Sequence, residues 1–261
     1  MRFLSIVLLP LLFSSCRSDS LPAAGGPNTL VVATAANVQF AMADLEKAFE
    51  ASTDYQIDAV VSSTGKLTAQ IVQGAPYDLL IAANQKYPES LIERGDAQGP
   101  VRTYALGSLV LWTTRDLSIG LGMSLLDELP PGDKIAIANP ENAPYGTESI
   151  RALRARGQYD RLQSQLIYGE SIAQTNQYII SGAAAVGFTA KSVVLSPNME
   201  EKGQWITVPD NLYEPIKQGV VATTYGMENH PEAVQAFLEF LFSAEAQTIF
   251  RNYGYTVPIG D

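Results

Sequence analysis

Short apolar runs recur along the chain, and most are followed by a segment in which apolar residues return every three or four positions. TLVVATA (29–35) predicts a buried strand, and residues 37–51 then place Phe40, Met42, Leu45 and Phe49 on one helical face. QIDAVVS (56–62) predicts a second strand before a helix over 65–74. DLLIAA (78–83) predicts a third, before a helix starting near Pro88. ALGSLVLWTTR (105–115) reads as one longer strand. KIAIANP (134–140) restarts the rhythm, with helices over 147–157 and near 158–165, strand LIYG (166–169), helix 172–181 and strand AVGFTA (185–190). QGVVATTYG (218–226) reads as another long strand, and residues 230–254 as one or two amphipathic helices.

Alternating β and α patterns imply mostly parallel sheets flanked by helices. Two such clusters, each too small to be the whole, predict an α/β protein of two lobes. The long strands near 105–115 and 218–226 are the candidates to cross between them, and the final helices to return to the first. The expected division is 29–109 plus 218–261 for lobe one and 110–217 for lobe two. Open α/β sheets bind ligands at the carboxyl ends of their strands, which places the expected site in the cleft between lobes.

The N-terminus changes the picture of where the chain works. MRFLSIVLLPLLFSS (1–15) is one Arg, an apolar run and small residues, the pattern of a secretory signal too short to span a bilayer. LFSSC resembles a bacterial lipobox, although Phe13 stands where Leu is commoner, so Cys16 is expected to be lipidated. The alternative is a soluble periplasmic protein that loses Cys16 with its signal. RSDSLPAAGGPN (17–28) reads as a flexible tether. Cys16 is the sole cysteine, so no intramolecular disulfide supports the fold. The core must do so, and 46% hydrophobic composition can supply one.

Charge and residue usage narrow the chemistry. The formal charge is −10, or −11 without Arg2, which argues against nucleic acid. It also means that a bound anion must be held by local dipoles against the field of the whole molecule. With one histidine, His230 in ENHPEA, a His-based triad or transition-metal site is not expected, and the neighbours of His230 predict solvent exposure. SSTGKL is not a Walker A loop, since Leu67 follows Lys66, and there is no G-x-S-x-G elbow. Glu200-Glu201 reads as a solvated turn.

What remains is a set of strand-to-helix junctions rich in small and hydroxyl residues. They are Ala35-Ala36-Asn37, Ser63-Thr64-Gly65, NPENAPYGTES (139–149) and GESIAQ (169–174). Facing one cleft, four such junctions offer backbone N–H groups and positive helix ends to a small anion. Asn37 brings an amide, Ser63 and Thr64 hydroxyls and Tyr145 a phenol, while Lys66 is expected in solvent. Each has a plainer reading: Asn37, Ser63 and Thr64 as N-caps, Tyr145 as an exposed turn residue, Ile172 as core.

At these residues the chain resembles the periplasmic molybdate-binding proteins of bacterial transporters, from about Leu30 to Pro258. LTAQIVQGAPYDLLIAANQKY (67–87) carries the most specific likeness, with NPENAPYG, ESIAQTNQYIISGAAAVGF and AQTIFRNYGYTVP following in order. The resemblance implies a two-lobed binding protein that closes on a dehydrated tetrahedral oxyanion. It implies ligands at Asn37 and Thr64 in the first lobe, and at Tyr145 and the backbone of Ile172 in the second, with Ser63 and Ala36 beside them. Some members have a ligand tyrosine where this chain has Ala190, and Tyr145 is the candidate to replace it.

The expected function is therefore molybdate binding, with tungstate also taken, for delivery to an ABC transporter permease. The protein would be a monomeric, non-enzymatic receptor with no cofactor, in the periplasm or cell envelope, touching the membrane only through Cys16. Three alternatives stand beside it. One is a receptor for sulfate or another oxyanion. The second is an exported enzyme using Asp78 or Glu141, although Asp78 also reads as a brace for the turn after Pro76. The third is a lipoprotein with a vestigial cleft that binds a protein partner.

Overall fold

The computed structural model describes residues 28–116, 122–199 and 201–258. The signal, Cys16, all of the tether but Asn28, and Glu200 lie outside them. No helix among the described residues is long and apolar enough to cross a membrane.

In chain order the elements begin β1 (Thr29–Ala35), α1 (Gln39–Ser52), β2 (Gln56–Ser62), α2 (Thr64–Val72), β3 (Leu79–Ile81), α3 (Lys86–Arg94) and β4 (Ala97–Gly107). Then come β5 (Leu109–Thr113), α4 (Leu125–Glu128), β6 (Ile135–Ala138), α5 (Pro144–Ala155), α6 (Tyr159–Leu162), β7 (Leu166–Gly169), α7 (Ile172–Ile180), β8 (Val186–Ala190), α8 (Lys191–Val194) and β9 (Gln204–Thr207). The chain closes with β10 (Ile216–Thr223), α9 (Thr224–Asn229), α10 (Pro231–Leu241) and α11 (Ala244–Asn252).

Two five-stranded sheets result, one ordered β2-β1-β3-β10-β4 and the other β7-β6-β8-β5-β9. Each keeps a parallel trio, β2-β1-β3 or β7-β6-β8, to which two antiparallel-paired strands are added. The architecture is the expected two-lobed α/β fold. The chain leaves the first sheet between Gly107 and Leu109 and re-enters it between Thr207 and Ile216. The run 105–115 is thus two strands divided at Ser108, because its halves pair in different sheets. Tertiary pairing, which local hydropathy does not encode, also makes strands of residues 97–104 and 204–207.

The final helices pack on α1: Phe49 meets Phe237 edge to face, with ring centroids 5.1 Å apart. In the second lobe Trp112 is fully buried, and its indole donates to the Lys202 carbonyl at 2.7 Å. Both cores place the small-residue junctions at the carboxyl ends of β1, β2, β3, β6 and β7, facing one another across the cleft.

Candidate functional site

Ten residues enclose a cavity between the lobes: Ala35, Ala36, Asn37, Ser63, Thr64 and Ala83 from one side, and Ala143, Pro144, Tyr145 and Ile172 from the other. All are buried. The cavity measures about 10 Å³, about the room that one water centre needs. Ligand entry therefore requires the lobes to part.

The lobes meet around the cavity through direct bonds. Gly65 N–H donates to the Asn142 carbonyl at 2.9 Å, and Tyr87 Oη to the Glu141 carbonyl at 2.8 Å. Ser192 Oγ donates to the Asn37 carbonyl at 2.7 Å. Lys66 pairs with Glu170 across the cleft, where solvent alone was expected around it, because closure brings the starts of α2 and α7 together. Both side chains stay largely exposed.

Three helix starts, those of α2, α5 and α7, supply wall residues to the cavity. Their first N–H groups have no carbonyl four residues back to bond. Among the described residues no hydrogen bond is made by the N–H of Thr64, Tyr145 or Ile172, nor by that of Asn37 before α1. None of these four helices carries an acidic residue in its first turn, where acids are usually favoured, whereas α3, α10 and α11 each have a glutamate there.

The hydroxyls complete a set of donors. Thr64 Oγ1 accepts from Ala83 N–H at 3.1 Å, which leaves its own proton to give. Tyr145 Oη accepts from Gln218 Nε2 at 3.0 Å and is likewise left with its proton. Ser63 Oγ is buried with no partner among the described residues, and it makes no cap bond to α2. A buried hydroxyl without a partner costs about 1–3 kcal/mol, so an orphan facing a cavity points to a ligand. Burial raises the Tyr145 phenol well above its ordinary value of 10, with Tyr255 adding to the shift and the Gln218 hydrogen bond opposing it. The phenol stays protonated at any working pH.

The plainer readings divide: Ser63 does occupy the N-cap position of α2 and Ile172 does belong to the core, whereas those for Asn37, Thr64 and Tyr145 fail. Asn37 does not cap α1, whose N-cap is Val38, Thr64 stands inside α2, and Tyr145 is 1% exposed within α5. Two expected donors are committed elsewhere. The Asn37 amide donates to Gln218 Oε1 at 2.8 Å and to Tyr255 Oη at 3.0 Å, so only its backbone N–H is left for the cavity. Ala36 N–H extends the β1–β2 ladder to the Ser62 carbonyl at 2.9 Å, which makes Ala36 a wall residue. Ile172 presents an apolar wall and its free N–H.

Gln218, Tyr104, Tyr255 and Ser192 were missed in the sequence, although they form the polar network behind the cavity. The one available signal was an amide at the head of the apolar run QGVVATT.

Neither acid of the enzyme alternative reaches the cavity. Asp78 is fully buried at the start of β3, while Ala83, just beyond its end, lines the cavity. Its Oδ2 accepts from Val31 N–H at 2.7 Å, and its Oδ1 lies 2.8 Å from His230 Nδ1. Asp78 is thus a brace. His230, expected in solvent, is largely buried because the α9–α10 corner folds onto that carboxylate. Glu141 lines a separate 320 Å³ groove with Lys86, Glu148 and Lys217. No group of acids, Cys and His suited to a metal ion occurs among the described residues.

The sequence pattern of the family described as "Bacterial extracellular solute-binding protein" matches residues 30–256. The molybdate-binding protein ModA of Rhodobacter capsulatus is 36% identical over 238 residues, 90% of each chain. That of Azotobacter vinelandii is 36% identical over 225 residues, 86% of this chain and 88% of its own. The solved Azotobacter vinelandii periplasmic molybdate-binding protein superposes with a TM-score of 0.82 at 32% identity, covering 88% of this chain and 99% of that one.

Proposed function

The chain belongs to the bacterial extracellular solute-binding protein family, and from that premise we propose that it captures molybdate and passes it to an ABC transporter permease. The observation that carries this reading is a closed cleft walled by hydrogen-bond donors and apolar atoms, with no acid among its lining residues. A fully deprotonated dianion needs donors only. Each hydrogen bond to a charged group contributes about 1.5–3 kcal/mol, so several together offset the ion's desolvation where one junction could not. The relatives named for molybdate binding point to the same ion.

In this reading Ser63, Thr64 and Tyr145 give hydroxyl protons, and Asn37, Thr64, Tyr145 and Ile172 give backbone N–H groups. Ala36 shapes the wall. Tungstate, with the same charge and shape, is bound as well. The receptor acts as a monomer at the cell envelope, anchored through a lipid on Cys16, and performs no reaction.

Titration calorimetry of the purified protein with molybdate, tungstate, sulfate and hydrogen phosphate tests the proposal. Tight heats are expected for the first two and none for hydrogen phosphate, which must also donate a proton. Heat for sulfate alone would reassign the receptor to that smaller ion. No binding at micromolar concentrations of any of the four would end the oxyanion reading.

A further inference from the structure

Gln218 lies near the start of β10, just after the chain re-enters the first sheet, and is fully buried. A buried amide must find protein partners for its carbonyl and its N–H groups. Oε1 of Gln218 accepts from Asn37 Nδ2 at 2.8 Å and lies 3.0 Å from Tyr104 Oη. Its Nε2 donates to Tyr145 Oη at 3.0 Å. Tyr145 belongs to the second lobe, so this bond crosses between lobes immediately behind the cavity. Gly107, at the crossing, makes room for it, since a Cβ there would overlap both Tyr145 Oη and Gln218 Nε2.

Resting on the receptor reading above, we infer that Gln218 is the positioning residue that makes the Tyr145 phenol a donor only, and so biases the cleft against protonated anions. A phenol carries one proton and also accepts. The Gln218 amide claims the accepting side, and the phenol proton is left for the cavity that Tyr145 lines. A fully deprotonated oxyanion takes that proton. A hydrogen phosphate ion brings a proton of its own and finds the phenol's accepting side occupied. Thr64 Oγ1 is arranged alike by Ala83 N–H, a backbone donor that substitution leaves in place. The Gln218 side chain is the one of the two donors that mutation can remove.

The test is a double-mutant cycle read by titration calorimetry, with thermal unfolding alongside. Wild type, Gln218→Met, Tyr145→Phe and the double variant are titrated with molybdate and with hydrogen phosphate. Gln218→Met is expected to weaken molybdate binding about tenfold, the scale of one hydrogen bond to a charged group. It is also expected to narrow the preference for molybdate over hydrogen phosphate, and the double variant should bind no more weakly than Tyr145→Phe alone. Losses that add in full, with the preference unchanged, would show that Gln218 acts by packing and would overturn the inference. Should Gln218→Met not fold, Gln218→Glu makes the same test, because a carboxylate keeps the shape, draws the phenol proton to itself and should weaken molybdate more. A wild type that binds neither ion would remove the receptor reading and the inference together. A wild type that binds while the losses add would remove the inference alone.

Discussion

Gly65→Ala is expected to stabilise the ligand-free protein and to weaken its grip on the ion, two effects of opposite sign from one methyl group. Gly65 lies in the first turn of α2 and is absent from the glycines with positive φ, so its backbone accepts alanine. A Cβ built there stands 2.8 Å from Asn142 Cβ and 2.9 Å from Asn142 Cα, across the cleft. Carbon atoms pack comfortably at about 3.5–4.0 Å, so the lobes must back away by about 0.7 Å or more to admit it. Overpacking of this kind costs about 1–3 kcal/mol, which corresponds to a rise in Kd of roughly 5- to 150-fold. With the lobes apart the methyl loses the Asn142 wall and meets only Tyr87 Oη of its own lobe, 2.9 Å away at the tip of a side chain free to shift, and alanine is preferred to glycine in a helix by up to about 1 kcal/mol. Calorimetric titration of both proteins with molybdate gives the first quantity, and thermal unfolding without ligand gives the second. Unchanged affinity would refute the argument, because the Gly65–Asn142 contact would then be absent from the bound state. Loss of both stability and affinity would show instead that Gly65 serves the first lobe itself.

Asp78→Asn should lower stability by about 1–3 kcal/mol through the weakened Val31 and His230 contacts, while molybdate affinity stays unchanged; a large fall in affinity at full stability would place Asp78 in the site after all. The buried tyrosines make folding sensitive to alkali. Burial raises Tyr104 and Tyr145 well above 10 and Tyr213 to about 12, so the folded state holds protons that the unfolded chain releases near 10. Stability is then fully present below pH 10 and is lost as pH rises from there through the raised values, which melting temperature against pH would show; a flat profile to pH 12 would contradict it. Lys66→Ala should change affinity by less than about fivefold and only at low salt, because both members of its pair with Glu170 are exposed. A larger, salt-independent loss would mean that Lys66 itself meets the ion.

Much of the fold was legible because burial writes a period into the chain. QIDAVVS and LIYG coincide with β2 and β7 to the residue, since each is an apolar run closed by turn-forming neighbours. Helix starts were less legible: α5 begins at Pro144 rather than at residue 147, because proline is well suited to a helix's first position. The residues that line the cavity were legible as residue types, as small and hydroxyl residues at strand-to-helix junctions are the common grammar of anion sites.

By itself, the sequence determined that this is an α/β chain with one histidine and one cysteine, and that its strand-to-helix junctions carry hydroxyls. Only the tertiary structure decided which of those groups still have a proton to give. Asn37 turns its amide to Gln218 and Tyr255, Ala36 spends its N–H in the sheet, and Gln218 reaches Tyr145 from the other lobe. His230 is drawn in by a carboxylate 152 residues away. A hydrogen bond is a contest between donors and acceptors brought together in space, and residues 37, 145, 218 and 255 become neighbours only when both lobes have folded and closed.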